Sequence, residues 1–369
     1  MLERFVRLCE IASPTGSERA VVDDVQAELR GLGVEVEEDG SAVAARAGAG
    51  NLVARVPGAG EGWVMFAAHL DTVPHDGPIE VAFADGVYRS AGETILGADN
   101  KAAVTVLVEL AARAAAGSPP PVGLELVFTV AEEDGLRGAK ELDLGSLRSP
   151  FGYVLDHASP IGEVILAAPT YNRIEAEFHG AEAHAGIRPE DGSSAIAGAA
   201  AAIGQMELGR LDPETTANVG VIRGGTASNV VSGLCRIEAE ARGLDETRTA
   251  AVTQAIVDAC AWGAGEARCD LEVDVREMFR GYRLRSSAPA VEIAREALRR
   301  RGIKPVDRAT GGGSDANAFC ARGFEAVLLA NGTEANHTPG ESVAAGRIVE
   351  MLGVCEAIAD EAARSPARC

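Results

Sequence analysis

Positive charge is what this sequence most conspicuously lacks. Lys and Arg number 34 against 55 Asp and Glu, a formal net charge of -21, and so acidic a composition argues against a nucleic-acid backbone as partner while favouring solubility. Long apolar runs are missing too. No stretch reaches the ~18 residues that suggest a membrane span, so no membrane association is expected. Cysteine is sparse and unpatterned: Cys9, Cys235, Cys260, Cys269, Cys320, Cys355 and Cys369 are odd in number and contain no CxxC pair. Scattered thiols of this kind read as reduced cytosolic residues, not as a disulfide framework or a thiolate zinc site. The opening Met1-Leu2-Glu3-Arg4-Phe5 reads as an amphipathic helix carrying acids, without the basic start and apolar core of a signal peptide, and a cytoplasmic location is expected. Internal repeats and low-complexity tails are absent.

What is present is an ordinary globular composition, 47% hydrophobic and 24% charged, in 369 residues, enough for about two domains. Residues 63–73, Trp-Val-Met-Phe-Ala-Ala-His-Leu-Asp-Thr-Val, begin as a buried strand and then present His69, one spacer and Asp71. In an extended segment alternate side chains share a direction, so Asp71 can accept the second ring N–H of His69 and fix which nitrogen is free. A strand end whose His and Asp merely face solvent is the plain alternative.

Along the chain the same arrangement recurs. A polar, Gly-rich loop follows His69 and leads to Gly97-Ala98-Asp99-Asn100-Lys101 and a helix over residues 102–116, with Asp99 expected at its N-cap. An apolar strand over residues 124–130 runs into Ala131-Glu132-Glu133-Asp134-Gly135, where the acids could alternatively be a helix start favoured by the dipole. A strand over residues 151–155 ends in Asp156-His157, and one over 324–330 is followed by a loop carrying His337. Between them, from about Pro169, a β-α-β-β-α-β order predicts a ferredoxin-like insertion. The expected organisation is residues 1–167 and 284–369 as one α/β domain with a mixed sheet, interrupted by residues 168–283.

His69, Asp99, Glu132, Glu133, Asp156 and His337 all fall just after an apolar strand or at a helix cap beside one. Two imidazoles and three carboxylates suit a pair of divalent cations that share one carboxylate, whereas without metal the acids would repel one another. Mixed N/O donors suit zinc, with cobalt or manganese also accommodated.

The His69-Leu70-Asp71-Thr72-Val73 run, Gly97-Ala98-Asp99-Asn100-Lys101, Glu132-Glu133 before Gly135, Asp156, and His337-Thr338-Pro339-Gly340-Glu341 resemble the signature blocks of the M20 metallopeptidases. Gly312-Gly313-Ser314-Asp315-Ala316-Asn317 and the inserted segment resemble the peptidase T-like, tripeptide aminopeptidase branch. The resemblance implies a dinuclear catalytic domain in which His69, Asp99 and Asp156 hold one metal and Asp99, Glu133 and His337 the other. It further implies that Asp71 orients His69, that Glu132 is general base on a metal-bridging water, and that the Asp99–Asn100 peptide is cis. In the insertion, expected to serve as lid and homodimer interface, His184 would donate to the developing oxyanion. Asn229, Arg242, Gly313 and Ser314 would contact substrate. Read as residues alone, His184 could equally be a loop residue and Arg242 a strand-end charge, while His75, His157 and His179 carry no implied role.

One departure bears on substrate. Peptidase T has arginine in its Arg-Gly-Gly-Thr-Asp motif where this chain has Gly311, so one charge-assisted substrate contact is missing. The leading expectation is a two-metal exopeptidase acting on the N-terminus of short peptides. The alternatives are an amidohydrolase or carboxypeptidase for N-acyl amino acids or dipeptides, and a non-catalytic metal-binding protein.

Overall fold

The structure is a computed structural model that describes residues 1–365; Cys369 lies outside them. The chain divides into two compact units. One comprises Met1–Ala167, Arg283–Ala309 and the described residues from Ser314 onward, and the other comprises Ala168–Tyr282 with Thr310–Gly313.

The first unit is built on a nine-stranded mixed sheet. Four of its strands, Gly123–Thr129, Trp63–His69, Phe151–His157 and Glu325–Ala330, lie side by side in that order, and all three pairings are parallel. Every residue of Gly123–Thr129 is buried, and in Trp63–His69 only the first is not. Such continuous apolar strands, without inside–outside alternation, belong to a sheet covered on both faces. Helices Leu2–Glu10, Ala98–Ala115, Pro289–Arg300 and Ala345–Arg364 supply cover, with Phe5, Leu8, Leu107, Ile348 and Leu352 in the same core as Phe66 and Phe128. Parallel direction has one consequence for chemistry: the carboxyl ends of all four strands emerge at one edge. His69 pairs with Thr129, and Ala330 with His157, at that edge.

Within the residues expected to be a loop after His69, Val81–Ala84 and Val87–Ser90 form a hairpin. It joins Ser342–Ala344 and Thr333–Glu334 in a small antiparallel sheet. The segment bearing His337 is thereby anchored at both ends.

The second unit is a five-stranded antiparallel sheet in the order Gly209–Asp212, Thr215–Gly224, Leu234–Gly243, Thr170–His179, Asp270–Phe279. The last four have the ferredoxin-like order, and the short Gly209–Asp212 edge strand is an addition to the expected pattern. Alternation is clear in Thr170–His179, where Ile174, Ala176 and Phe178 are buried and Arg173, Glu175 and Glu177 are not. Helices Ala195–Gln205 and Glu246–Ala267 pack together over the buried face. They approach so closely that a Cβ on Gly263 would lie 2.4 Å from the Gly198 carbonyl oxygen, which only glycine permits.

Candidate metal centre

His69 ends its strand almost fully buried. Its Nδ1 lies 3.0 Å from the backbone oxygen of Asp71 and 3.5 Å from that residue's Oδ1, so the carbonyl is the nearer acceptor for the ring N–H. With the proton on Nδ1, Nε2 keeps its lone pair and points at Asp99 Oδ1, 3.2 Å away, and Asp156 Oδ1, 3.4 Å away. Asp71 does more than accompany the imidazole. Its Oδ1 accepts from Glu132 N at 2.9 Å, and its Oδ2 accepts from Thr15 Oγ1 at 2.7 Å and Glu133 N at 3.2 Å. One buried carboxylate therefore ties two strand ends together. Burial would raise its pKa, but His69, with Thr15 Oγ1 and Glu132 N, holds it below the ordinary carboxylate value.

Asp99 does not cap the helix with its side chain as expected: Ala98–Ala115 opens on Gly97, with φ 75°, and Asp99 and Asn100 kink it with non-helical backbone angles. The freed carboxylate reaches two imidazoles, Oδ1 toward His69 and Oδ2 toward His337 Nε2 at 3.1 Å, and Oδ2 also accepts from Asn336 Nδ2 at 2.8 Å. The Asp99–Asn100 peptide is cis, as the resemblance implies, and Asn100 Nδ2 donates to Asp156 Oδ1 at 3.0 Å. The main-chain donors of the turn leading into the helix go to Glu341, whose Oε2 accepts from Leu96 N and Gly97 N and whose Oε1 accepts from Asp99 N, all at 2.8 Å.

His69, Asp99 and Asp156 offer ligand atoms lying within 4.8 Å of one another, and so do Asp99, Glu133 and His337. The donor set fits divalent cations in kind: one imidazole nitrogen and two carboxylate oxygens in each group, with Asp99 common to both. Glu133 Oε1 is buried with no aligned hydrogen-bond donor although His337 Nε2 is 3.1 Å away. Two atoms that close without mutual alignment suit a third partner between them. Charge tells the same story. Burial opposes ionisation of His69, yet Asp156, Asp71 and Asp99 outweigh it and raise its pKa well above the usual imidazole value. Asp99 and Glu133 raise His337 to about 10. Burial and neighbouring carboxylates push Glu132 and Asp156 well up. Protons in this cluster do the charge balancing that cations would do.

The remaining expected residues fall elsewhere. Exposed His184 and Asn229 sit on adjacent segments of the second unit, joined by Ala185 N to Asn229 O and Val231 N to Ala183 O, both 2.9 Å. Arg242 lies toward the other end of the strand that follows, roughly 25 Å along it. Its guanidinium stacks over Tyr171 at 4.2 Å and pairs with Glu240 at 3.0 Å. Tyr171 meets Phe279, and a Cβ at Gly313 would strike that Phe279 ring at 2.2 Å, so Gly313 is where backbone passes an aromatic wall. Ser314 is fully buried, its N–H donating to Asn317 Oδ1 at 3.2 Å, and offers no surface to a substrate. His157 lies 3.8 Å from Glu163 and makes no part of either ligand group.

Sequence reasoning passed over Glu341 and Lys101. Lys101 is fully buried, its ammonium donating to Ser13 Oγ and to the Leu70 carbonyl between His69 and Asp71, and burial lowers its pKa to about 8. Its place in a helical run beside Asp99 was a sequence signal for proximity, not for this contact.

Because Asp71 orders backbone on both sides, Asp71→Asn is expected to reduce turnover by about 10–100-fold with metal content retained. The amide can accept on one side only. Steady-state kinetics beside elemental analysis of the same sample checks this.

The model of peptidase family M20/M25/M40 matches residues 65–361. Among solved structures, a tripeptidase from Staphylococcus aureus subsp. aureus Mu50 superposes with a TM-score of 0.91 at 34% identity, covering 98% of each chain. Aminopeptidase PepT from Bacillus cereus ATCC 10987 gives 0.85 at 36%, covering 98% of this chain and 97% of that one. A Bacillus subtilis (strain 168) protein, YqjE, of uncharacterised function, is 36% identical over 99% of this chain and 98% of its own length. No helix among the described residues is long and apolar enough to cross a membrane. Matched by the family model over most of its length, the chain belongs to peptidase family M20/M25/M40 and is a metallopeptidase.

Proposed function

We propose that this chain is an exopeptidase that releases N-terminal residues from short peptides, using two divalent ions, zinc by preference. His69, Asp99 and Asp156 would hold one ion and Asp99, Glu133 and His337 the other. The observation that carries the reading is the place of Asp99, with one carboxylate oxygen 3.2 Å from His69 Nε2 and the other 3.1 Å from His337 Nε2. When bound, such a pair polarises the scissile carbonyl and lowers the pKa of water.

The rest is the work of side chains. Glu132 stands beside both groups, within ligand distance of His69 and Glu133, and its backbone is pinned by Asp71; with the two ions held by the other five residues, its carboxylate would accept a proton from attacking water and return it to the departing amine. Burial, with Asp156 and Glu133 nearby, raises its pKa toward the range in which such a base works best. Asp71 fixes the His69 tautomer. No Ser or Cys is needed as nucleophile.

We assign the second unit to substrate capture and to dimer formation, as lid and interface. His184 and Asn229 lie at one end of its sheet and Arg242 and Gly313 toward the other, and a second copy of the chain would supply whichever end the first cannot. Arg242 would meet the substrate carboxylate. Gly311 is exposed and carries no side chain, so no charge at that position would fix one chain length. This same gap favours a second reading, hydrolysis of N-acyl amino acids, because no arginine enforces a peptide. The organisation expected is that of a protein acting in the cytoplasm.

Comparing Ala-Ala-Ala with N-acetyl-Ala on zinc-loaded protein separates the two. Hydrolysis of the tripeptide to Ala and Ala-Ala, and no turnover of the blocked substrate, is the expected outcome. Preference for N-acetyl-Ala would replace the proposal with the deacylase reading.

A further inference from the structure

An α-helix leaves its first N–H groups without internal partners, and a side chain at the N-cap normally satisfies some of them. Ala98–Ala115 opens on Gly97, which has no side chain to offer, and kinks at once at Asp99 and Asn100, whose backbone is non-helical. The local candidate, Asp99, is turned away toward His69 and His337. A residue there cannot both cap its helix and bridge two imidazoles.

Glu341 resolves the conflict from 242 residues away. It is 1% exposed, and both carboxylate oxygens accept: Oε2 from Leu96 N and Gly97 N, Oε1 from Asp99 N, each at 2.8 Å. Among the described residues no other side chain accepts from these three donors. The attachment is rigid at its far end as well, because Glu341 N donates to Thr338 O at 3.1 Å and the next residues, Ser342–Ala344, form a strand between two others. Thr338 Oγ1 in turn donates to Ala335 O at 2.7 Å, closing the turn that carries His337.

We propose that Glu341 is a positioning residue that sets Asp99 and His337 against each other, holding the main chain of Leu96, Gly97 and Asp99 so that both Asp99 oxygens stay available. Its carboxylate fixes the backbone of Asp99 directly and belongs to the same turn-and-strand segment as His337. It touches neither imidazole. The assignment rests on the two-ion reading of the site, since what Glu341 positions matters only if Asp99 is shared.

The neutral isostere tests it. Glu341→Gln keeps size and one acceptor, but its NH2 group opposes main-chain N–H donors. Affinity for both ions, measured by chelator competition with zinc, is expected to fall about 10–100-fold. KM for Ala-Ala-Ala should stay near the wild-type value, and excess zinc should restore kcat. Glu341→Asp keeps the charge and should fall between the two. A merely structural loss would lower activity without restoration by metal. Equal zinc affinity in wild type and Glu341→Gln would overturn this proposal while leaving the two-ion reading intact, whereas a wild-type chain that binds no pair of ions would remove both. Should the variant not fold, hydrogen exchange on the wild-type protein decides: slow exchange at Leu96, Gly97 and Asp99 amides in metal-free protein supports the attachment, and exchange at open-loop rates contradicts it.

Discussion

Replacing Asp99 with alanine should cost both metal ions at once and reduce peptide hydrolysis by at least about 10⁴-fold, equivalent to ~5.5 kcal/mol of transition-state stabilisation. The reason is geometric. Asp156 lies 3.4 Å from His69 and Glu133 3.1 Å from His337, whereas Asp99 approaches both imidazoles, at 3.2 Å and 3.1 Å. Asp156→Ala and Glu133→Ala should therefore each weaken one ion more than the other, and only Asp99→Ala should leave a chain with neither. Elemental analysis of the three variants after dialysis distinguishes these patterns. Losing the bridge also removes a carboxylate from a cluster in which Asp99 raises the pKa values of Glu133 and Asp156. It equally removes the partner of two imidazoles: despite burial, His337 and His69 hold Asp99 far below the ordinary carboxylate range, so metal-free Asp99→Ala should be somewhat less stable than metal-free wild type, and a thermal melt in chelator checks that the lost activity is not lost structure.

Glu132→Gln should behave in the opposite way toward metal. Turnover is expected to fall by about 10²–10⁴-fold, the usual contribution of a positioned general base, with content near two ions per chain. Glutamine preserves shape and the backbone bond from Glu132 N to Asp71 but cannot take a proton. KM should change little, because the base acts on the proton in flight and not on substrate binding. Retained turnover in Glu132→Gln would remove the residue from its role.

Acidity offers a further check that does not depend on turnover. In metal-free protein His337 is raised to about 10 by Asp99 and Glu133, above the 6.5 of a free imidazole. A raised histidine contributes stability that is fully present below pH 6.5 and lost as pH climbs toward 10. Cations displace those protons, so the increase in melting temperature on adding zinc should be larger at pH 8 than at pH 5.5. Proton release on binding, seen as a buffer-dependent heat in calorimetry, should accompany it.

How much of this could be read from residues alone varied with how local its cause was. The edge that carries the candidate cluster was legible because a buried parallel strand announces itself as an unbroken apolar run, and the first polar residues after each run, His69, Glu132 and Asp156, can only emerge at the strand's end. The inserted unit was legible from alternation in segments such as Thr170–His179. The hairpin over residues 81–90 was not, because most of its residues are at least partly exposed and carry no alternation. Gly209–Asp212 is a short exposed edge strand for the same reason. Asp99 was misplaced as an N-cap because capping is inferred from neighbours in sequence, and the group that actually receives those N–H bonds, Glu341, is remote. Ser314 looked like a substrate contact in its motif but is fully buried.

The central claim is that two cations share Asp99. Crystals of the protein soaked in zinc, with diffraction measured at the zinc absorption edge, address it without assuming any substrate. Two anomalous peaks flanking the Asp99 carboxylate are predicted, one beside His69 and Asp156 and the other beside Glu133 and His337. A single peak, or zinc lodged away from Asp99, would contradict the account.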